Sequence, residues 1–94
     1  MSKKQITGVG IAVLLIAIYF GVKFYASNVA EKMVNEAIVK VANGEDDRAI
    51  RDYNKAIELK PDCAEAYNNR GNAYEKKGEY ERAKEDYRKA CELG

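Results

Sequence analysis

The sequence of 94 residues has no histidine, only two cysteines and one proline, and its net charge is +1. Without histidine there is no imidazole base, and two cysteines alone cannot complete a zinc site. The carboxylates are dispersed among lysines and arginines, and no glycine-rich phosphate loop is present. A net charge near zero does not provide the positively charged surface that nucleic-acid binding normally needs. The sequence therefore predicts no enzyme activity, no cofactor, no metal site and no nucleic-acid partner.

Charged residues are also missing from one long stretch near the N-terminus, residues 6–22. As a helix this stretch is about 25 Å long, and extending it through residue 26 gives about 31 Å, close to the ~30 Å of a bilayer's hydrocarbon core. Aromatic residues cluster at its C-terminal end, as in an interfacial belt: Tyr19, Phe20, Phe24 and Tyr25. We interpret residues 6–26 as a transmembrane helix that contacts the lipid bilayer and follows a short cytoplasmic tail, residues 1–5.

Two other interpretations of this stretch are weaker. A cleavable signal peptide needs small residues before the cleavage site. Cuts after Ala26 or Ala30 would instead place Phe24 or Asn28 at the third position back. A buried helix of a soluble protein normally has a polar face, whereas this stretch is apolar all round.

Lysines flank the stretch on both sides and predict its orientation. Lys3 and Lys4 precede it, and Lys23 and Lys32 follow it. The positive-inside rule mildly favours a cytoplasmic N-terminus. The remaining chain is then expected outside the cytoplasm, in the periplasm if the cell is Gram-negative.

Residues 27–94 show helical periodicity interrupted by glycine and proline. Gly44 and Gly78 lie where turns are expected, and Pro61 ends a helix that begins near residue 45. Further helices are expected over residues 64–77 and 79–93, the first with a capping box of Asp62 and Glu65. Over residues 27–43 a separate helix could begin at Asn28, or the membrane helix could continue without a break.

The second and fourth of these helices repeat each other at a separation of 34 residues. The repeat pairs Arg48 with Arg82, Ala49 with Ala83, Asp52 with Asp86, Tyr53 with Tyr87, Ala56 with Ala90 and Leu59 with Leu93. Self-similarity at this period predicts stacked helix–turn–helix hairpins, in which each hairpin leaves an apolar face for a neighbour.

Residues 64–94 contain aromatic and small residues at defined spacings: Tyr67, Gly71, Tyr74, Ala83, Tyr87 and Ala90. These residues fall on signature positions of the tetratricopeptide-repeat family, and the segment therefore resembles one such repeat. Arg70 departs from the pattern, because the family prefers leucine there. Residues 30–63 resemble a second, degenerate copy, with charged Glu36 and Lys40 at packing positions. The predicted fold is all-α: one transmembrane helix followed by a domain, residues 27–94, of about two such hairpins.

The resemblance implies a binding surface for a protein or peptide partner, formed by the first helix of each hairpin. In the second copy this surface would contain Glu65, Asn68, Asn69, Asn72, Glu75 and Lys76. Asparagine amides can hydrogen-bond a peptide backbone, although these residues could equally be ordinary solvated positions. In the first copy the equivalent apolar residues are Val34, Ile38 and Val41. For these three, packing within the chain or against lipid is the alternative to contact with a partner.

Cys63 and Cys91 would approach each other in an antiparallel hairpin. A disulfide between them requires Cα atoms within about 7 Å and an oxidising compartment. The alternative is that both are small buried hydrophobic residues.

The sequence thus predicts a membrane-anchored adaptor or assembly factor that binds a membrane-associated protein without catalysis. The alternative is a small structural subunit of a membrane complex or a homo-oligomer. It is suggested by the low number of repeats and by a last hairpin whose outer face, including Leu93, lacks a following repeat.

Overall fold

The computed structural model describes the backbone of residues 3–94 and the side chains of residues 8–94. It contains four helices: α1, Lys3–Ala42; α2, Asp46–Leu59; α3, Ala64–Lys76; and α4, Tyr80–Leu93. The described part of the chain has no strand, which confirms the all-α prediction. The first two residues of the predicted tail lie outside the described residues, and residues 3–5 belong to α1.

Helix α1 runs without a break from the apolar N-terminal stretch into the first repeat. Its 40 residues correspond to about 60 Å of helix, which accounts for the 65 Å long dimension of the molecule. No separate helix begins at Asn28, and the absence of proline and glycine between Val22 and Asn43 permits this continuity. Of the two alternatives for residues 27–43, the continuous helix is therefore the one observed.

Glycine turns end α1 and α3 in the same way. Gly44 and Gly78 each adopt φ = 81°, a left-handed conformation that costs glycine little. The amide of Gly44 donates to the Val41 carbonyl at 3.0 Å, and the amide of Glu45 donates to the Lys40 carbonyl at 2.8 Å. The same two bonds recur around Gly78. Each pair of bonds satisfies carbonyls that the helix end would otherwise leave unpaired.

The capping box expected at the start of α3 does not form. Cys63 is the residue before the helix, and no side chain caps the helix N-terminus. The Ala64 amide instead donates to the Asp62 carbonyl at 3.0 Å. Asp62 therefore lies one residue too early for its carboxylate to act as the cap.

Small side chains form most of the core and allow the helices to approach closely. Helices α1 and α2, α2 and α3, and α3 and α4 pack against each other in succession. Tyr53 and Val34 are the largest fully buried side chains. The other buried apolar residues are Ala30, Ala37, Ala49, Ile50, Ala56, Ala66, Ala73 and Ala83. The core begins at Ala30, so the N-terminal part of α1 extends beyond it.

Gly71 marks the closest approach between α3 and α4. A Cβ atom at this position would lie 2.8 Å from Cε1 of Tyr87 and 3.2 Å from the Ala83 carbonyl oxygen. Real side chains do not tolerate the shorter of these contacts without movement. The first repeat has Ala37 at the equivalent position, so this close approach of a glycine to a tyrosine ring belongs to the second hairpin.

Candidate protein-interaction surface

Helices α1 and α3 together form the surface that the sequence predicts for partner binding. At one end Glu31 and Val34 of α1 line a cavity of about 110 Å³ with Cys63 and Glu65. At the other end the Lys76 ammonium donates to the Val41 carbonyl at 3.4 Å. The two helices are thus adjacent at both ends of α3, and we call the surface that they share the α1–α3 surface.

The predicted residues differ in how accessible they are on this surface. Glu65, Asn68, Asn72, Glu75 and Lys76 are exposed, whereas Asn69 and Val41 are half-buried. Val34 is 1% exposed and belongs to the core, and Ile38 is 42% exposed. Val34 therefore packs within the chain, and Ile38 is the large aliphatic side chain that the first repeat presents here.

Tyr87 of α4 restrains two of the predicted polar residues. Its hydroxyl oxygen lies 2.6 Å from Oδ1 of Asn72 and 2.7 Å from Oε2 of Glu75. Burial, followed by the hydrogen bond to the Glu75 carboxylate, raises the pKa of Tyr87 to about 12. The hydroxyl has one proton and can donate to one of these oxygens at a time. Asn72 and Glu75 thus contribute to α3–α4 packing, while Asn68 and Asn69 form no side-chain hydrogen bond among residues 8–94.

Arg70, the departure from the family pattern, is half-buried and forms an ion pair with the buried Asp86 beneath this surface. Nε donates to Oδ2 at 2.8 Å and Nη2 donates to Oδ1 at 2.7 Å. Nη1 donates to Oδ1 of Asn54 at 2.8 Å, and the guanidinium carbon lies 5.3 Å from the centre of the Tyr67 ring. Asp86 is 3% exposed, and its hydrogen bonds raise the pKa of Arg70.

The first repeat contains a related ion pair at the equivalent aspartate. Asp52, 34 residues before Asp86, pairs with Lys40 of α1. The sequence alone identifies Lys40 and Arg70 only as charged residues at packing positions. The matching aspartates in the aligned repeats were the signal that could have identified both pairs, because each aspartate faces the preceding helix.

Neither cysteine is paired in the structure. Both are free thiols, with Cys63 half-buried and Cys91 exposed. No group of three or more histidine, cysteine or acidic side chains within the described residues is arranged to hold a metal ion. The disulfide stays a prediction: if it forms, alkylation without prior reduction adds no label to either cysteine, and mass spectrometry that detects two labels would contradict it.

The N-terminal part of α1 carries a continuous exposed apolar surface. Leu15 is 60% exposed, Phe20 is 62% exposed and Phe24 is 71% exposed. Within the described residues, α1 is the one helix long and apolar enough to cross a membrane, and its most apolar window has no buried residue. This surface is therefore not covered by the repeat domain.

Known proteins resemble part of this chain. Two curated relatives, named photosystem I assembly protein Ycf3, come from Synechococcus sp. (strain CC9605) and Prochlorococcus marinus subsp. pastoris. Each is 43% identical over 47 residues, which are 50% of this chain and 27% of the relative. The chain thus matches about a quarter of the length of these relatives.

Solved structures show the same fold. Two crystal structures of MamA superimpose with TM-scores of 0.66 and 0.65 at 38% sequence identity. Each superposition covers 68% of this chain, and 37% or 35% of the MamA chain.

Family models match the chain in two overlapping segments. A model described as TPR repeat matches residues 39–78, and one described as tetratricopeptide repeat matches residues 64–93. Together these matches extend from residue 39 to residue 93, so they cover α2, α3 and α4 and the last four residues of α1. The chain belongs to the tetratricopeptide-repeat family.

Proposed function

We propose that this protein is a membrane-anchored adaptor or assembly factor that binds another protein and performs no catalysis. Residues 6–26 lie in the bilayer, and residues 27–94 hold the repeats at its surface. One observation carries the proposal: the exposed apolar part of α1 continues without a break into the helix that forms the repeat core. At the boundary between anchor and repeat domain the helix then passes from lipid to water and repeat core, while its backbone stays helical.

A continuous helix has a mechanical consequence for such an adaptor. A flexible linker would let the repeats sample many orientations, whereas a helix fixes their orientation relative to the membrane. Restriction to the membrane raises the effective concentration of the domain for membrane-bound partners. The name of the curated relatives, photosystem I assembly protein, supports an assembly role in general terms and leaves the partner of this chain to be identified.

The α1–α3 surface is the proposed binding site for an extended or helical peptide of the partner. Asn68 and Asn69 can donate to and accept from a peptide backbone, which requires no particular side-chain sequence. Ile38, which is 42% exposed, offers an apolar contact from α1. Glu65 lies at the start of α3 and Lys76 at its end, so the surface is negative at one end and positive at the other. A peptide with one basic end and one acidic end would therefore bind in one direction.

The anchor and its orientation can be tested with the native cysteines. We expect the full-length protein to resist extraction by alkaline carbonate. Cys91 is exposed and unpaired in the structure, so we also expect a membrane-impermeant maleimide to label it from the extracytoplasmic side of intact cells, provided that the alkylation assay above finds the thiol free. A Cys91→Ser variant is the matched control, because it retains Cys63. Extraction into the soluble fraction would contradict the anchor, whereas labelling only after lysis would contradict the orientation alone.

A second candidate function is that of a structural subunit in a membrane complex or homo-oligomer. It is favoured by apolar side chains that remain uncovered on the repeat domain, with Val39 59% exposed and Tyr80 65% exposed. Light scattering of the purified full-length protein in mild detergent distinguishes the two. A protein mass equal to one chain favours the adaptor, and a mass equal to a fixed multiple of one chain favours the homo-oligomer.

A further inference from the structure

A cavity of about 470 Å³ lies where the apolar part of α1 meets the loop between α2 and α3. Two phenylalanines, Lys23 and Ser27 line it from α1, and the last residue of α2 and the first three residues of the loop face them. The full lining is Phe20, Lys23, Phe24, Ser27, Leu59, Lys60, Pro61 and Asp62. We call this cavity the membrane-proximal pocket. The proposed function does not use it.

The pocket lies at the level where the hydrocarbon core would end. Lys23 is the first charged residue after the uncharged residues 6–22. The loop lies beside this part of α1, so it reaches the lipid headgroups if α1 spans the bilayer. Leu59 is 39% exposed and is followed by Lys60 and Pro61. An exposed leucine next to a lysine is suited to the boundary between acyl chains and headgroups.

The charges of the pocket are unbalanced. Lys23 and Lys60 contribute two ammonium groups to the lining and Asp62 contributes one carboxylate, an excess of one positive charge among the lining residues, while Glu31 and Glu65 lie with Lys60 on the adjacent smaller cavity. Neither ammonium forms an ion pair with a carboxylate among residues 8–94. The Lys23 ammonium lies 5.9 Å from the centre of the Tyr19 ring, a contact that leaves its hydrogen-bond donors available to an anion.

We propose that the membrane-proximal pocket binds an anionic phospholipid of the surrounding bilayer. The lipid phosphate contacts the ammonium groups of Lys23 and Lys60, and the upper part of an acyl chain lies along Phe20, Phe24 and Leu59. The proposal rests on the membrane anchor proposed above. Two observations favour a lipid over a protein partner: the pocket continues the exposed apolar surface of α1, and its excess charge is opposite to that of the lipid. Bound lipid would join the loop to α1 and fix the tilt of the repeats.

The test uses the full-length protein in detergent with an equimolar mixture of phosphatidylglycerol and phosphatidylcholine, followed by native mass spectrometry of the retained lipid. We expect the wild-type protein to retain phosphatidylglycerol preferentially. Lys60→Ala should reduce that retention about fivefold, because one lysine at an anionic membrane surface contributes an affinity of this order. Lys55→Ala is the matched control, since it removes an exposed lysine of α2 outside the pocket. Leu59→Ser should also reduce retention through loss of the acyl contact.

Each outcome has a distinct meaning. Equal retention of the two lipids by the wild-type protein, or unchanged retention in Lys60→Ala, would overturn the lipid site. An equal loss in Lys55→Ala and Lys60→Ala would also overturn it, because general charge attraction would then account for binding. Circular dichroism of each variant checks that the helices remain intact. Carbonate extraction of the wild-type protein distinguishes failure of the lipid site from failure of the anchor. If the protein resists extraction but shows no lipid preference, the membrane anchor stands and the lipid site is contradicted.

Discussion

Replacing Arg70 by leucine tests the energetic role of the buried ion pair. Leucine is the residue the family prefers at this position, so a consensus argument expects Arg70→Leu to stabilise the protein. The structure predicts the opposite, because the carboxylate of Asp86, which is 3% exposed, would lose both guanidinium hydrogen bonds. Removing one partner of a buried pair costs about 3–5 kcal/mol. Since the Arg70 side chain is 19% exposed, we expect a loss near the lower limit, about 3 kcal/mol.

Such a loss is large for a domain of this size. At ~0.05–0.15 kcal/mol per residue, residues 27–94 would have a free energy of unfolding of about 3–10 kcal/mol. Urea unfolding of the full-length protein in mild detergent, followed by circular dichroism, measures the change. For a small domain the slope is about 1 kcal/mol per molar urea. The midpoint should therefore fall by roughly 3 M, or the variant should be unfolded without urea.

Two comparison variants make this test specific. The double variant Arg70→Leu/Asp86→Leu removes both charges and should recover most of the lost stability, because well-packed apolar residues can replace a buried pair at little cost. Lys40→Leu should cost less, about 1 kcal/mol, since the Lys40 and Asp52 side chains are 33% and 15% exposed. If Arg70→Leu alone is neutral or stabilising, the buried pair does not have the role described here.

Three further predictions concern backbone and core positions. Gly71→Ala should lower the free energy of unfolding by about 1–3 kcal/mol, although alanine is the better helix former, because its Cβ would lie 2.8 Å from a tyrosine ring of α4. An unchanged urea midpoint would contradict the close approach. Gly44→Ala should cost about 1 kcal/mol, since φ is 81° there; thermal unfolding measures it, and no change in midpoint would argue against the left-handed turn. Burial raises the pKa of Tyr53 to about 12, so its neutral form stabilises the fold fully below pH 10. That contribution, about 2–3 kcal/mol, should disappear as the pH rises from 10 to 12, because the unfolded chain loses the phenol proton first. Urea midpoints across this pH range should therefore fall more steeply for the wild-type protein than for Tyr53→Phe. Equal slopes would contradict the raised pKa.

The helices α2, α3 and α4 could be predicted within one or two residues because their limits depend on local chemistry. Gly44 and Gly78 adopt conformations that other residues avoid, and Pro61 cannot continue a helix. The repeat at 34 residues then supplied the arrangement of the hairpins. The continuity of α1 could only be left open, since the absence of a helix-breaking residue permits a continuous helix without requiring one.

Features that depend on contacts between helices could not be predicted in the same way. The distance from Arg70 to Asp86 depends on how α3 and α4 cross, and the tyrosine contact to Asn72 depends on the same crossing. The sequence predicts Val34 either on the binding surface or packed within the chain. In the structure it is buried in the core, because α1 and α2 approach each other closely. The membrane-proximal pocket joins residues that are far apart in sequence, so no local pattern indicates it.

Crosslinking in the native membrane tests the central claim most directly. A lysine-reactive crosslinker is applied to membranes that contain the wild-type protein, and crosslinked chains are identified by mass spectrometry. We expect a specific membrane-associated protein to crosslink to Lys76, which lies on the α1–α3 surface. Asn68→Ala/Asn69→Ala should reduce this product at least about fivefold, the equivalent of two lost hydrogen bonds. Arg51→Ala/Glu58→Ala, which changes two exposed residues of α2, should leave it unchanged. Equal crosslinking in all three proteins, or products that contain only copies of this chain, would contradict an adaptor that binds its partner on the α1–α3 surface.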